Sequence, residues 1–546
     1  MHNLDVIGVL IEASPVLMTG KGNGDLEGLL PSEPTNEVQV RPFIHHVGNI
    51  NLSDGAVLFS PEGQKWVEDL TGEKMPADLS LAASRPWERD PIIDTERCLN
   101  AVPLDKMTLP GRETMVQLTN AYWNTVHSRS WPIPDEVFFQ DTMDVAYGAR
   151  EEAPYRVHTA KICVWATWAF ISTFPTPFSG RPAALPAPQR IEIMTSIMAS
   201  INLLQQPHLE LLEAITMLVT FHLLSGNVQA GMMSNTIAAR HILWLGAHTT
   251  DCYSRANTFL STGDENFRRD YHLRNLFWIC YQQDKELCIR SGQPPALFEY
   301  NCDLNLPTAY EENLNFSLKF ERDDNVVYPG DLRLSRIKST AYIDLYSRRA
   351  LDKSDALILS GIRQLDVDLE QWRMSIPAEY RPTLLFSQEA RRPSAPNIRS
   401  LMLRLEYHYC MAYIHQACGR YGTWSGKQGP EIQGVNSSLI LSIAACRSSL
   451  YYLLAVGYAL APKDFWLILF YPLSAIVSIF CYIISNPQAP EATSDLELIR
   501  LMAVQIRELG EQEDKLSGEP SKSERAWKVV TALEKLARCT IEKHNS

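Results

Sequence analysis

Asp284 is the first residue in this chain to invite a chemical reading. Around it Leu273, Leu276, Phe277, Cys280, Leu287 and Cys288 recur at steps of three and four, which places them on one face of an α-helix. A carboxylate in the middle of such a face is costly to bury unless a cation or several N–H groups meet it. Arg240 is stranded in the same way within the apolar segment Met232–Leu245. Acid and base are therefore expected to form a buried polar pair. The competing arrangement seats Asp284 on backbone N–H groups and leaves Arg240 in solvent.

The other reactive side chains are dispersed. Of thirteen histidines only His45 and His46 are adjacent, and they fall in an acidic, turn-rich lead, where such a pair is solvated rather than ligating. His127 reads as a core-edge histidine bonded to backbone. Eleven cysteines contain no Cys-x-x-Cys pair. The odd count and a start, MHNLDVIGVLIEASP, without a cationic leader point to free thiols in a reducing compartment. No nucleophile elbow, His-Glu-x-x-His, dinucleotide fingerprint or Walker loop occurs. The glycine-rich Gly419–Gly434 stretch lacks the Gly-x4-Gly-Lys order and a preceding strand. The chain is thus expected to have no catalytic residues, no metal site and no cofactor.

The elements that carry Asp284 and Arg240 are helical. The Asp284 helix stops at Ser291-Gly292, with Pro294-Pro295 forbidding continuation. Further helices are expected over Glu113–Phe139 (running into a Pro-broken turn), Lys161–Thr173, Ile191–Gln205, Leu209–Leu224 and Leu334–Ile376 (two helices). More follow over Asn397–Gln416, Ser437–Leu460, Leu496–Glu511 and Ala526–Glu542. Residues 309–332 read as an acidic, solvated loop. Phe465–Ile484 is twenty apolar residues interrupted by Pro472. It is long enough to span a bilayer, but a helix apolar all round also suits the centre of a large helical domain, and no membrane association is expected. The class is therefore all-α, a large array of packed antiparallel helices. Three regions are expected: an acidic, largely irregular lead over 1–110, a helical domain over 111–490 and charged helices over 491–546. Within the lead, Ala56–Phe59 and Gln64–Leu70 stand out as short strand-like or helical pieces.

Several ordered motifs resemble the regulatory (middle homology, xylanolytic-activator-type) domain of fungal zinc-cluster transcription factors. Arg274, the pair Phe277-Trp278, Asp284, Gly292-Gln293-Pro294 and Asp303 with Pro307 fill its central signature, with Gln293 where the family has Arg. Ala238-Ala239-Arg240 followed by Leu245-Gly246-Ala247-His248 resembles a second segment. Tyr122-Trp123, His127, Trp131-Pro132 and Phe138-Phe139 resemble the domain's opening, and Leu365-Asp366, Leu369, Trp372 and Ile376-Pro377 a later motif.

The resemblance implies a nuclear transcription regulator, controlling a metabolic or secondary-metabolite gene cluster. The family's six-cysteine zinc cluster, which reads DNA, is not matched here, since residues 1–97 hold no cysteine. The formal net charge of −13, with no Lys/Arg run longer than two, also argues against independent DNA binding. DNA contact is therefore expected only indirectly or through a missing N-terminal segment. The expected partners are a DNA-binding protein or other transcription machinery, a small-molecule effector and a second copy of the chain. The alternative is a small-molecule-binding or catalytic protein that reuses the helical scaffold.

Overall fold

The punctuation in the sequence becomes helix ends at nearly the places it marks. The structure is a computed structural model and describes residues 48–51, 56–59, 61–76, 99–124, 133–173, 185–201, 206–249, 264–307, 310–318, 330–386, 397–420, 430–518 and 523–545. His45, His46, His127, Trp131 and Pro132 lie outside them.

Within the lead, β1 (Gly48–Asn51) and β2 (Ala56–Phe59) pair antiparallel, with Gly48 opposite Phe59, and α1 spans Pro61–Thr71. This is the only sheet among the described residues. Phe59 and Val67 are fully buried, and the Phe59 ring meets Phe480 edge-on at 6.4 Å between centroids. Two apolar anchors thus tie this part of the lead to the helical core.

The first half of the array comprises α2 (Arg112–Trp123), α3 (Glu136–Ala146), α4 (Pro154–Ile171), α5 (Ala187–Ser200), α6 (Leu209–Leu224) and α7 (Val228–Trp244). Asp135 caps α3 through the Val137 and Phe138 N–H groups, and Asn227 caps α7 through Ala230, as short polar side chains do at helix starts. The three-residue link between α6 and α7 makes them an antiparallel hairpin.

Next come α8 (Glu265–Ser291), α9 (Tyr310–Ser317), α10 (Leu332–Ala341), α11 (Asp355–Ser375) and α12 (Ile398–Gln416). The last helices are α13 (Pro430–Val456), α14 (Phe470–Ser485), α15 (Ala492–Ser517) and α16 (Glu524–Asn545). Both C-terminal helices pack on α14.

Helix α8 is the axis. Its Leu273–Tyr281 portion belongs to the apolar cluster built with α2–α7. Leu287 joins the cluster of α12–α16, and Ile289 that of α10–α12. Every residue from Leu276 to Arg290 is buried. The sequence predicts one apolar face, yet this stretch of the helix is enclosed all round, so its polar residues must find partners inside the protein.

The Phe465–Ile484 segment is two helices, Phe465–Ile468 and α14, bent by 51° at the break. Pro472 supplies no N–H and its ring conflicts with the Ile468 carbonyl four residues earlier. Almost all of α14 is buried against neighbouring helices. Ser437–Ala459 also has the length and composition to cross a membrane, and 56% of its apolar window is covered by the molecule.

The acidic stretch 309–332 departs from the solvated reading. Part of it is α9, with Leu314 buried, and Asp331 is fully buried. Asp331 caps α10 through the Arg333 N–H at 2.9 Å, binds the Arg333 guanidinium at 2.8 Å and accepts from Trp372 Nε1 at 2.9 Å. An acid with a cap, a cation and an indole donor has no need of water.

Candidate functional site

The motif residues assemble where α8 ends and the chain doubles back along it. Gly292 sits at φ 70° and its N–H closes on the Cys288 carbonyl at 2.9 Å. Residues without a β-carbon tolerate this left-handed turn best. Residues 293–307 then form a strap over α8. Pro294 is exposed at its start, and the Pro307 carbonyl accepts the Tyr310 N–H at 3.1 Å at its end.

Asp284 holds the strap by its backbone. Its two oxygens accept the Ala296 N–H at 2.8 Å and the Leu297 N–H at 3.1 Å. Asn235 Nδ2 of α7 (3.3 Å) and Lys285 Nζ (3.0 Å) complete the shell. Lys285 also donates to the Leu297 carbonyl. One turn earlier, the Tyr281 hydroxyl donates to Glu299 at 2.5 Å.

Arg274 fastens the other end. Its guanidinium is wholly buried and donates to the carbonyls of Ala247 (3.2 Å), His248 (3.1 Å) and Asp303. It lies 4.4 Å from the Phe277 ring centre and 5.2 Å from that of Trp278, a stacking suited to a weakly hydrated planar cation. The Asp303 N–H donates to the His248 carbonyl at 2.8 Å, and the Asp303 carboxylate accepts the Asn305 N–H at 2.9 Å. Gly246, at φ 74°, makes the turn that presents these carbonyls.

The structure thus brings Arg274, Phe277, Trp278, Asp284, Gly246, His248 and Asp303 into one fastening. His248 takes part through its backbone. Arg240 does not join them. It is exposed, and the residue of α7 that meets Asp284 is Asn235. Five positions further along a helix is about 140° further round, so Asn235 and Arg240 cannot both face α8. Gln293, in the family's Arg position, is also exposed.

Sequence reasoning missed a second cluster on α8. Lys338 of α10, 1% exposed, donates to Glu286 at 2.6 Å and to Glu406 of α12 at 2.8 Å. Arg290 Nε (2.6 Å) and the Tyr471 hydroxyl of α14 (2.9 Å) donate to the other Glu286 oxygen. Two acids and two bases close the charge balance inside the core. Burial pushes the Glu286 carboxyl up, but Lys338 and Arg290 outweigh it and hold it down at about 2. Burial pushes Glu406 up to about 7, against the pull of Lys338 and aided by the charge of Glu286.

A pH dependence follows. A carboxyl raised in the folded state costs stability as pH rises from its unfolded value to its folded one. Between about pH 4.5 and about pH 7 the unfolded chain's carboxyl ionises while buried Glu406 keeps its proton, so the fold loses stability progressively across that window. Replacing Glu406 by Gln removes this titration, so the variant should gain on the parent as pH rises across that window, by up to about 3 kcal/mol. Paired urea titrations at pH 4.5, 6 and 8 check this. A difference that stays constant, or that turns against the variant as pH rises, would refute it.

A third polar group lies between α4, α6 and α8. Glu213, wholly buried, meets His272 Nε2 at 2.7 Å and the Cys163 thiol at 3.5 Å. Burial, and then Glu213, push the Cys163 thiol well up. A thiol so placed is not a nucleophile. Among the described residues no three His, Cys, Asp or Glu side chains converge as a metal site. The buried ionisable groups Arg274, Asp284, Lys285, Glu286 and Arg290 of α8 are each engaged by backbone or by charged and polar partners on α8 and its neighbours.

A hollow lined by Leu453, Phe465, Leu469, Met502 and Gln505 has room for about one water.

Known proteins agree with the motif reading. The chain is 32% identical over 245 residues to an ABC-transporter-regulating transcription factor of Aspergillus fumigatus, covering 42% of this chain and 26% of that protein. It is 23% identical over 303 residues to the Fusaridione A cluster transcription factor fsdR of Fusarium heterosporum, covering 54% and 53%. It is 25% identical over 228 residues to transcription factor oryO of Aspergillus oryzae, covering 41% and 25%. The chain therefore spans about a quarter to a half of the length of these relatives. No family model and no solved structure matches it.

Proposed function

We propose that this chain, a relative of fungal transcription factors over part of its length, is a transcription regulator whose helical module sets activity rather than reading DNA. What carries the reading is the junction of Arg274, Asp284 and the strap, where the motif residues named from sequence meet in one fastening. The relatives' names include transporter regulation and a secondary-metabolite cluster, and the proposed targets here are metabolic genes of that kind. The proposed site of action is the nucleus.

The net charge of −13 favours recruitment through a DNA-binding partner or segment over direct capture of phosphate. A small-molecule effector would act by shifting the packing around α8, the helix that all three apolar clusters share. The closed ionic clusters favour this regulatory role over catalysis.

The test tethers residues 1–546 to a heterologous DNA-binding domain at a reporter promoter in a fungal host. Reporter output should change, up or down, relative to the DNA-binding domain alone. Unchanged output from an expressed, nuclear fusion would overturn the proposal.

A further inference from the structure

Helix α11 has two faces of different character. Ile358, Ile362, Leu365, Leu369 and Trp372 are buried against the neighbouring helices. A stripe along the outward face runs Leu357, Ser360, Gln364, Val367, Gln371 and Met374, at alternating steps of three and four, and itself carries no charged residue. All six are exposed, Leu357 at 59%, Val367 at 49% and Met374 at 51%. Solvent faces of surface helices are normally charged. Exposed Leu357, Val367 and Met374, interleaved with the uncharged Ser360, Gln364 and Gln371, have the 3.5-residue spacing of a helix-pair seam.

The charges beside the seam indicate what covers it. Arg363 is exposed and has no hydrogen-bond or ion-pair partner among the described residues. Glu370, one heptad further on, keeps 43% of its side chain in solvent while binding Arg373 at 2.7 Å. A carboxylate has lone pairs for a further donor.

Laid antiparallel on a second α11, with the two-fold axis near residues 365 and 366, the seam becomes self-complementary. Leu357 faces Met374 of the second copy at both ends. Ser360 faces Gln371, and Gln364 faces Val367. On the flank, Arg363 of each copy meets Glu370 of the other, twice over by symmetry.

We propose that the outward face of α11 is a self-association surface and that its occupant is a second copy of this chain, held antiparallel by that seam and two Arg363–Glu370 pairs. The inference does not depend on the transcriptional reading. The reporter can fail while the dimer forms, and the reverse.

Sedimentation velocity of the full chain across a concentration series tests it. The parent should show a reversible monomer–dimer equilibrium. Arg363→Glu alone and Glu370→Arg alone each set like charges face to face and should weaken dimerisation about tenfold or more. The double exchange should restore it, because the pairs re-form with reversed polarity. Circular dichroism and melting of each variant separate lost association from lost folding. A parent chain monomeric at every concentration would overturn the proposal, as would a dimer indifferent to the single variants or one the double exchange fails to rescue.

Discussion

Replacing Lys338 by Met is expected to cost about 3–5 kcal/mol of folding stability, the range for breaking one partner out of a buried ionic network. The ammonium is the shared counter-charge of Glu286 and Glu406, at 2.6 and 2.8 Å. Without it two carboxylates remain in the core with Arg290 as the remaining cation beside them among the described residues, and one of them must take up a proton or draw in water. The damage is electrostatic and so should be largely reversible. Lys338→Met combined with Glu406→Gln removes the surplus negative charge and should recover most of the loss. Urea unfolding at pH 7 measures both. A single variant within about 1 kcal/mol of the parent would mean that the cluster contributes nothing.

Arg274→Ala is expected to be comparably severe, again about 3–5 kcal/mol. It strips the carbonyls of Ala247, His248 and Asp303 of a shared donor and leaves a void beside Phe277 and Trp278. Arg274→Lys is the sharper variant. A compact ammonium keeps the charge but cannot reach carbonyls on both the turn and the strap, nor stack as a plane. Lysine should therefore rescue less than half of the alanine loss. Full rescue by lysine in thermal melts would show that charge alone matters there and that the fork geometry is incidental.

Local signals decided how much of this arrangement could be read in advance. Leu209–Leu224 and the Ser291-Gly292 stop appear where periodicity and glycine place them. The residues of the motif around Arg274 and Asp284 come together because they lie within one helix and the strap that follows. Its internal pairing was not readable. Asp284 and Arg240 looked like partners because each was the odd residue on an apolar face, and periodicity alone does not say which face of α7 turns toward α8.

The Glu286–Lys338–Glu406 cluster left no local trace. Its members are separated by 52 and 68 residues, and each, taken alone, reads as solvated. The same holds for Asp331, whose indole donor Trp372 lies 41 residues away. Charged residues on a helix that proves buried all round are the systematic blind spot, since sequence patterns report apolar faces and are silent about paired charges.

The functional reading rests on Asp284 and Arg274 acting as fasteners of the strap rather than as reacting groups. Deuterium exchange at the Ala296 and Leu297 amides, in the intact parent and in Asp284→Ala, tests this most directly. The prediction is slow exchange in the parent, on the scale of the α8 interior, and fast exchange in the variant with α8 itself still protected. Exchange in the parent at the rate of an open loop, or protection unchanged by loss of the carboxylate, would contradict it.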